Sequence, residues 1–258
     1  MSKILIGAPI YDRAWIIPHW FKAIEEQSGF NLSDIGFVFE AAPNDEETHE
    51  LLFDWHSKHP EVACFDVEIN TTQKHTKHQN DKRGWTKDRY YHMVAFRNNL
   101  LDKAIGYDFD RYFSLDTDVL LEDKSTLEKL YSFTSDPVAA SPLMFMSQAT
   151  RQHPSTMSWA HRPGAVARRT DYPLGTTFKT DVIMAAKMMS KPVFQNVRYE
   201  WHRQGEDLGW SANCAKAGYD LYCLSDIYAP HIMSRNMLKR YLATGDNRKI
   251  KKKIDKNL

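Results

Sequence analysis

The sequence contains neither of the two glycine-rich patterns, GxGxxG and GxxxxGKS or GxxxxGKT, that commonly bind phosphate groups. In those patterns backbone N–H groups at the start of a helix surround the phosphate oxygens. A chain without them needs another source of positive charge if it is to hold a phosphorylated ligand. A divalent cation held by carboxylates is the simplest such source.

Cysteine and long apolar runs are also scarce. The three cysteines form no CxxC pair and cannot all pair with one another, so we expect reduced thiols, no structural zinc and a cytoplasmic protein. No stretch approaches the roughly 20 apolar residues of a membrane-spanning helix. The apolar run near the N-terminus is too short for a secretory signal peptide.

A large excess of charge of one sign is absent from the chain as a whole, because 34 Lys and Arg residues nearly balance 33 Asp and Glu residues, which leaves a formal net charge of +1. The exception is the segment 248–256, which contains six basic residues and one acidic residue. Such a segment could steer the protein to DNA, RNA or an acidic membrane. It could equally be a solvated end, and the sequence leaves both interpretations open.

Strand and helix patterns alternate along the first half of the chain, which predicts an α/β fold: a mixed twisted sheet with helices on both faces. In the second half, residues 181–191 and 205–220 are predicted to be helical, and a short strand follows. No internal repeat interrupts this order. We expect a single domain over residues 1–245 and a basic tail over 246–258.

Two carboxylates stand one residue apart at the end of an apolar strand, in the stretch RYFSLDTDVLL. Asp116 and Asp118 would face the same way if the strand continued through them, and the carboxyl end of a strand borders the ligand crevice of an open α/β sheet. Carboxylate oxygens are the ligands that Mg2+ or Mn2+ prefers. A turn with two solvated Asp residues is the simpler alternative.

Three further features of the sequence could belong to the same site as the Asp pair. Arg97 lies on the helix before the strand and offers a planar fork that suits a diphosphate. Glu206 and Asp207 follow a glycine at a helix start, where carboxylates favour the helix dipole. His231 lies just past the last predicted strand and could be a third metal ligand. Each has an ordinary interpretation: a helix-face arginine, N-terminal capping and a surface histidine.

Together these features resemble a nucleotide-sugar glycosyltransferase of the GT-A type, similar to glycosyltransferase family 2. The stretch AFRNNLLDKAIGYDFDRYFSLDTDVLL resembles that family's Ala-Arg-Asn helix, strand and DxD motif. The stretch GEDLGWSANCAKAGYDLYCLSDIYAPHIM resembles its Glu-Asp helix, final strand and metal histidine. The resemblance covers roughly residues 3–234 and implies a donor half over about 1–122 and an acceptor half over about 137–235.

The resemblance implies a role for each matching residue. Asp118 would ligate Mn2+ or Mg2+, His231 would complete the metal shell, and Asp116 would reach the metal through water or contact the donor ribose. Asp207 would be the general base that deprotonates the acceptor hydroxyl in an inverting displacement. Glu206 would orient the acceptor or the donor sugar.

The resemblance also implies a donor site, with a UDP-sugar as the favoured donor. Pro9, Tyr11 and Asp12 would border the nucleoside, and Arg97 would lie beside the diphosphate or the base. The usual acidic cluster after the second strand is replaced by FEAAPND, which leaves open whether its Glu40, Asn44 and Asp45 contact the nucleotide. Related enzymes with a similar helix and DxD motif retain configuration, so inversion is the favoured outcome and not the only one.

The acceptor is less defined. The segment 147–180 mixes aromatic and basic residues, which suit sugar stacking or an anionic polymer. Candidate acceptor contacts are Trp159, Arg162, Tyr172 and Trp210. With the basic tail and the His- and Lys-rich segment 74–89, they suggest a hydroxylated base in DNA as one acceptor, exposed by base flipping. A glycan, a lipid-linked sugar and a protein side chain are the alternatives.

Two other classes of function compete with this interpretation. A phosphatase of the haloacid dehalogenase type also ends a strand with DxD. The phosphatase motif, however, requires Thr or Val where this chain has Leu120. That motif also lies on the first strand, whereas the DTD of this chain follows a later strand. The other competitor is a binding module that kept the fold and lost the chemistry. The complete set of Asp116, Asp118, Asp207 and His231 argues against it.

Overall fold

A computed structural model describes residues 3–71, 87–145, 156–159, 166–168 and 172–245. Eight of its strands form one sheet in the order β3-β2-β1-β4-β9-β5-β10-β8, and two short strands pair separately. The strands are β1 Ile4–Ile10, β2 Ile35–Ala41, β3 Cys64–Ile69, β4 Arg111–Leu115, β5 Val138–Leu143, β6 Met157–Trp159, β7 Val166–Arg168, β8 Thr177–Thr180, β9 Ala186–Ser190 and β10 Asp220–Tyr228. The helices are α1 Ile17–Glu25, α2 Glu46–Lys58, α3 Lys87–Gly106, α4 Thr126–Phe133, α5 Lys191–Asn196, α6 Glu206–Lys216 and α7 Arg235–Thr244.

The sheet forms because its strands are apolar on both faces. β1 and β2 are buried along almost their whole length, as expected for parallel strands covered by helices on both sides. α1 buries Trp20, Phe21 and Ile24 at helical spacing, and the ring of Phe21 stacks on Trp55 of α2 with centroids 3.8 Å apart. Each fully buried aromatic side chain of this kind contributes about 1.5–3 kcal/mol through removal from water.

The order of the strands places a crevice at one point of the sheet edge. β1 pairs in parallel with β2 on one side and with β4 on the other. The chain therefore leaves β1 toward β2 and later returns to its opposite side, which makes the gap between the carboxyl ends of β1 and β4 a topological switch point. The Asp116-Thr117-Asp118 turn follows β4 at this gap.

The predicted helix over 181–191 is wrong. Residues Ala186–Ser190 form β9, which runs antiparallel between β4 and β5 in the middle of the sheet. Ala, Met and Lys favour a helix in isolation, but all five residues are buried and the edges of two neighbouring strands satisfy their backbone groups. The mixed sheet, the alternating strands and helices of the first half and α6 agree with the sequence prediction, whereas α5 and α7 were not predicted.

The strands and helices of the second half of the chain lead back to the edge of the sheet where the turn after β4 lies. α6 precedes β10, which pairs in parallel with β5 and antiparallel with β8. After β10, Val119 and His231 form a bridge, so the segment that directly follows β10 lies against the turn that follows β4. None of the helices in the portion of the chain that the structure describes is long and apolar enough to cross a membrane.

Candidate active site

Arg97 connects the two halves of the site. The side chain is almost completely buried on α3, where Nη1 donates to Ser114 Oγ at 2.9 Å and Nη2 donates to Asp116 Oδ1 at 2.7 Å. Its Nε lies 3.7 Å from Glu206 Oε1. The helix-face interpretation of Arg97 is therefore wrong: the guanidinium points inward and places Asp116 and Glu206 around one cation.

Asp118 faces a different set of partners. His231 Nε2 lies 3.1 Å from Asp118 Oδ1, and Arg13 Nη2 lies 3.1 Å from Asp118 Oδ2. The backbone holds this arrangement, because Ile232 N–H donates to the Asp118 carbonyl at 2.6 Å. Burial opposes ionisation of Asp118, but the charges of His231 and Arg13 hold its pKa well below the ordinary value. The pKa of His231 is raised, because the Asp118 carboxylate outweighs the effect of burial.

The two Asp side chains do not share a strand. β4 ends at Leu115, and Asp116 and Asp118 lie in the turn beyond it. The expectation that the two Asp side chains face the same way, as in a continued strand, is therefore wrong. The turn instead gives each carboxylate its own arginine, Arg97 for Asp116 and Arg13 for Asp118.

The donor atoms around Asp118 fit a divalent cation. A carboxylate oxygen and an imidazole nitrogen converge there, and Asp116 lies close enough for its charge to raise the pKa of His231. Within the described residues, no group of three or more His, Cys, Asp or Glu side chains could hold a metal ion by itself. Mg2+ and Mn2+ commonly complete such a shell with water and substrate phosphates, so a partial protein shell suits them.

The opposite side of the site is a buried carboxylate pair at the start of α6. Gly205 precedes this pair with a φ of +123°, a conformation that side-chain-bearing residues rarely adopt. Glu206 and Asp207 are both buried. Burial and the neighbouring Asp207 charge raise the pKa of Glu206 to about 7.

Lys187 is the ion-pair partner of Asp207. Its side chain is completely buried on β9, where Nζ donates to Asp207 Oδ1. Nζ also lies 5.2 Å from the ring centroid of Tyr199 and 5.5 Å from that of Trp210. Burial opposes ionisation of Asp207, but Lys187 and a hydrogen bond from the backbone of Ala185 lower its pKa.

Ala185 joins the two carboxylate groups through its backbone. It has a φ of +54°, and its carbonyl accepts from Asp116 N–H at 2.7 Å. With its contact to Asp207, this one residue positions the turn after β4 relative to the start of α6. Unfavourable backbone conformations of this kind persist where the surroundings hold them, often at functional sites.

The residues expected to border the nucleoside lie at the end of β1. Asp12 has a φ of +53°, and its backbone N–H donates to Asp45 Oδ2 at 2.6 Å. The ring of Tyr11 is partly buried, which raises its pKa. Pro9 pairs in register with Glu40 of β2. Asn44 follows β2 in the same connection and is exposed.

The structure describes the side chains of two of the four candidate acceptor contacts, Trp210 and Tyr172. Trp210 is completely buried against Tyr199 inside the protein, so the expectation that it contacts an acceptor is wrong: an unexposed indole ring offers no face to a ligand. Tyr172 is partly buried beside Phe145 and Phe178. The side chains of Trp159 and Arg162 lie outside the described residues, as do most of segment 74–89 and the tail 246–258.

The positions of Arg13, Lys187 and Ala185 in the site were not predicted from the sequence. Arg13 follows Asp12 directly, and its proximity to the Asp pair is a consequence of β1 and β4 being neighbours. Lys187 lies in a segment misassigned as a helix, where a single lysine suggests a solvated face. Recognition of residues 186–190 as a central strand would have shown a buried cation that requires a carboxylate partner.

The mixed sheet, the Asp turn at its switch point and the Glu-Asp helix start across from that turn define a GT-A fold, and the implied fold class is confirmed by solved structures. The mannosyltransferase PcManGT from Pyrobaculum calidifontis, solved with GDP-Man and Mn2+, is similar with a TM-score of 0.57 and 12% identity over 94% of this chain and 64% of its own. GalNAc-T7, solved with UDP, GalNAc and Mn2+, gives a TM-score of 0.62 and 11% identity over 89% of this chain and 44% of its own. Residues 1–349 of TarS from S. aureus give a TM-score of 0.54 and 11% identity over 89% of this chain and 60% of that chain.

The chain belongs to glycosyltransferase family 25: a model of the N-terminal domain of that family matches residues 1–157. A glycosyltransferase 25 family member from Aedes aegypti is 25% identical over 139 residues, which are 53% of this chain and 23% of that protein. The match thus spans about a quarter of the curated relative. The implied GT-A fold is confirmed, and the family to which the chain belongs is 25, where the sequence resemblance pointed to family 2.

Proposed function

We propose that this chain transfers a sugar from a nucleotide-diphosphate donor to a hydroxyl group in a metal-dependent, inverting reaction. One observation carries the proposal: a buried carboxylate pair, Glu206 and Asp207, stands opposite the Asp116 and Asp118 turn, and Arg97 connects the two sides. Transfer of a sugar needs a base beside the acceptor and neutralisation of charge on the departing diphosphate. The two sides of the site suit these two tasks.

On the donor side, Asp118 and His231 would hold the metal, with Asp116 beside them. When bound, Mn2+ or Mg2+ would neutralise charge on the diphosphate as the bond to the sugar breaks. Arg13 and Arg97 supply the cations of the chain itself at this place. Pro9, Tyr11 and Asp12 would border the nucleoside at the end of β1.

On the acceptor side, Asp207 would take the proton of the attacking hydroxyl. Lys187 and the backbone of Ala185 keep Asp207 ionised and fixed in orientation, which a base requires before it can accept a proton. Glu206, with a pKa of about 7, would orient a hydroxyl of the acceptor or of the donor sugar. Attack from the side of Asp207 inverts the configuration at the sugar carbon.

Three similar structures support a nucleotide-sugar donor, without fixing the nucleotide. PcManGT was solved with GDP-Man, GalNAc-T7 with UDP and Mn2+, and TarS with UDP. A UDP-sugar stays our preferred donor. A hydroxylated base in DNA stays one proposed acceptor. The basic tail and most of segment 74–89, which suggest this acceptor, lie outside the described residues.

The experiment is a hydrolysis and transfer assay with a panel of UDP-, GDP- and dTDP-sugars, with Mn2+ or Mg2+ and with EDTA as the control. We expect turnover of one donor, loss of turnover in EDTA and an inverted anomer by NMR. Hydroxymethylated duplex DNA should increase turnover if DNA is the acceptor. Absence of both turnover and nucleotide binding with every donor would refute the proposed function.

A further inference from the structure

Two exposed aromatic rings lie together on the surface that adjoins the proposed acceptor side. Tyr91 on α3 is 46% exposed and Trp201, before α6, is 39% exposed. Their ring centroids are 6.0 Å apart and their planes differ by 22°. Lys87 Nζ lies 5.7 Å from the centroid of Tyr91 and 5.4 Å from that of Trp201. We call Tyr91, Trp201 and Lys87 the aromatic platform.

The chain that carries Trp201 is fixed against the start of α6. The carbonyl of Glu200 packs so closely on Gly209 that a Cβ atom there would lie 2.0 Å from its oxygen. The carbonyl of His202 accepts from Gly205 N–H at 3.0 Å. Trp201 is therefore held five residues before Glu206 by contacts on both sides of it.

The chain that carries Tyr91 reaches the same place through its neighbour Tyr90. A Cβ atom on Gly205 would lie 3.5 Å from Tyr90 Cε1, which places the Tyr90 ring at the residue before the carboxylate pair. Burial, and then the charge of Glu206, raise the pKa of Tyr90. The two segments that carry the aromatic platform thus meet beside Gly205, the residue before the carboxylate pair.

We propose that the aromatic platform binds a pyranose ring of the acceptor, a proposal that rests on the proposed function. A sugar presents an apolar face of C–H groups, which stacks on an exposed aromatic ring, and hydroxyl oxygens, which accept from an ammonium group such as that of Lys87. Two exposed rings in a fixed arrangement offer such a face at little cost in conformational entropy.

Among the residues that the structure describes, the charges around the aromatic platform favour a saccharide over a nucleic acid. A strand of DNA would require a continuous track of cations beside the stacking rings. Here cationic and anionic side chains alternate in the two segments that carry the rings, namely Lys87, Asp88, Arg89, Glu200 and Arg203. A mixed surface of this kind suits the hydroxyl groups of a sugar better than a row of phosphates.

The test is saturation-transfer NMR with methyl pyranosides in the presence of UDP and Mn2+, on the wild-type chain and on Trp201→Ala and Tyr91→Ala. Phe53→Ala is the matched control, because Phe53 is a similarly exposed aromatic residue on α2. We expect at least one pyranoside to bind the wild type and Phe53→Ala equally. Its affinity should fall roughly tenfold or more in Trp201→Ala, as for loss of an aromatic stacking partner. Circular dichroism and thermal melting establish that each variant is folded.

The inference would be overturned by binding of no pyranoside to the wild type, or by equal binding to the folded Trp201→Ala variant. Binding of a single-stranded oligonucleotide that depends on Trp201, in place of a pyranoside, would also overturn it in favour of a nucleic-acid acceptor. Failure of the proposed function is a separate result, since it would appear as absence of donor hydrolysis by the wild type. The binding measurement does not depend on turnover.

Discussion

Arg13 and Asp118 form an ion pair at the place proposed for the metal, with Nη2 of the arginine 3.1 Å from Oδ2 of the aspartate. His231 contacts the other oxygen of the same carboxylate. Both oxygens of Asp118 are therefore engaged, and a cation that binds there competes with the charge of Arg13. In the proposed donor site, the same arginine would lie beside the diphosphate.

From this competition we expect Arg13→Ala to have opposite effects on two affinities. Without nucleotide, Mn2+ should bind more tightly because a repelling charge has gone. With Mn2+ present, a nucleoside diphosphate should bind more weakly, because a cation near its phosphates is lost. Mn2+ electron paramagnetic resonance and calorimetry measure the two affinities. Arg235→Ala is the control, since Arg235 is an exposed cation only 4.0 Å from Asp12. Weaker Mn2+ binding by Arg13→Ala would contradict the competition.

Asp118→Ala should abolish the proposed dependence of donor binding on a metal ion. The variant loses the carboxylate that both His231 and the cation would contact, so Mn2+ affinity without nucleotide should fall by at least a factor of ten. Donor binding should then no longer respond to EDTA. Mn2+ affinity equal to that of the wild type would show that the metal lies elsewhere.

Asp207→Asn should separate chemistry from binding. The amide keeps the size of the carboxylate but cannot accept a proton, so transfer should fall about 10²- to 10⁴-fold while nucleotide affinity in the presence of Mn2+ stays within a few-fold. Steady-state transfer rates and calorimetry with UDP provide the two numbers. Transfer at the wild-type rate would remove Asp207 from the role of base.

Lys187→Met tests the buried ion pair from the other side. The variant leaves the Asp207 carboxylate buried without its cation, so the free energy of unfolding should fall by about 3–5 kcal/mol. The double variant Lys187→Met with Asp207→Asn should recover part of this loss, because no uncompensated charge remains. Urea unfolding of the three variants measures the effect. Independent, additive losses would mean that the two side chains do not stabilise each other.

The sequence predicted the features that depend on local pattern. Strand β1, helix α1 and the start of α6 at Glu206 follow from apolar spacing and a preceding glycine, and their prediction agrees with the structure. The turn at Asp116 was placed correctly beside a strand end. These elements need no knowledge of distant parts of the chain.

The features that the sequence did not predict depend on long-range neighbours. The strand at 186–190 exists because two other strands surround it, a condition that composition does not record. Because that strand was not predicted, the role of Lys187 was not predicted either. Residue type alone also does not distinguish a buried Trp210 from an exposed one. Arg13 reaches Asp118 across 105 positions because the switch point brings β1 and β4 together.

Glu40 gives the fold a dependence on pH that is separate from the proposed catalytic groups. This carboxyl is almost completely buried in β2, and burial together with the charge of Glu68 raises its pKa to about 7. Asn70, Lys103 and Asn99 favour the ionised form, but they do not outweigh these two effects. In the unfolded chain the pKa returns to its ordinary value near 4.5.

Between pH 4.5 and 7 the folded state therefore binds more protons at Glu40 than the unfolded state does, so this carboxyl lowers the stability of the fold as the pH rises through that window. The contribution is fully favourable below pH 4.5 and is lost above about 7, and it amounts to about 3 kcal/mol at most. Glu40→Gln keeps the shape without the titration, so its free energy of unfolding should fall less steeply with pH than that of the wild type. Urea unfolding at several pH values between 4 and 8 measures both slopes. Parallel pH curves for the two proteins would mean that Glu40 titrates alike in the folded and unfolded states.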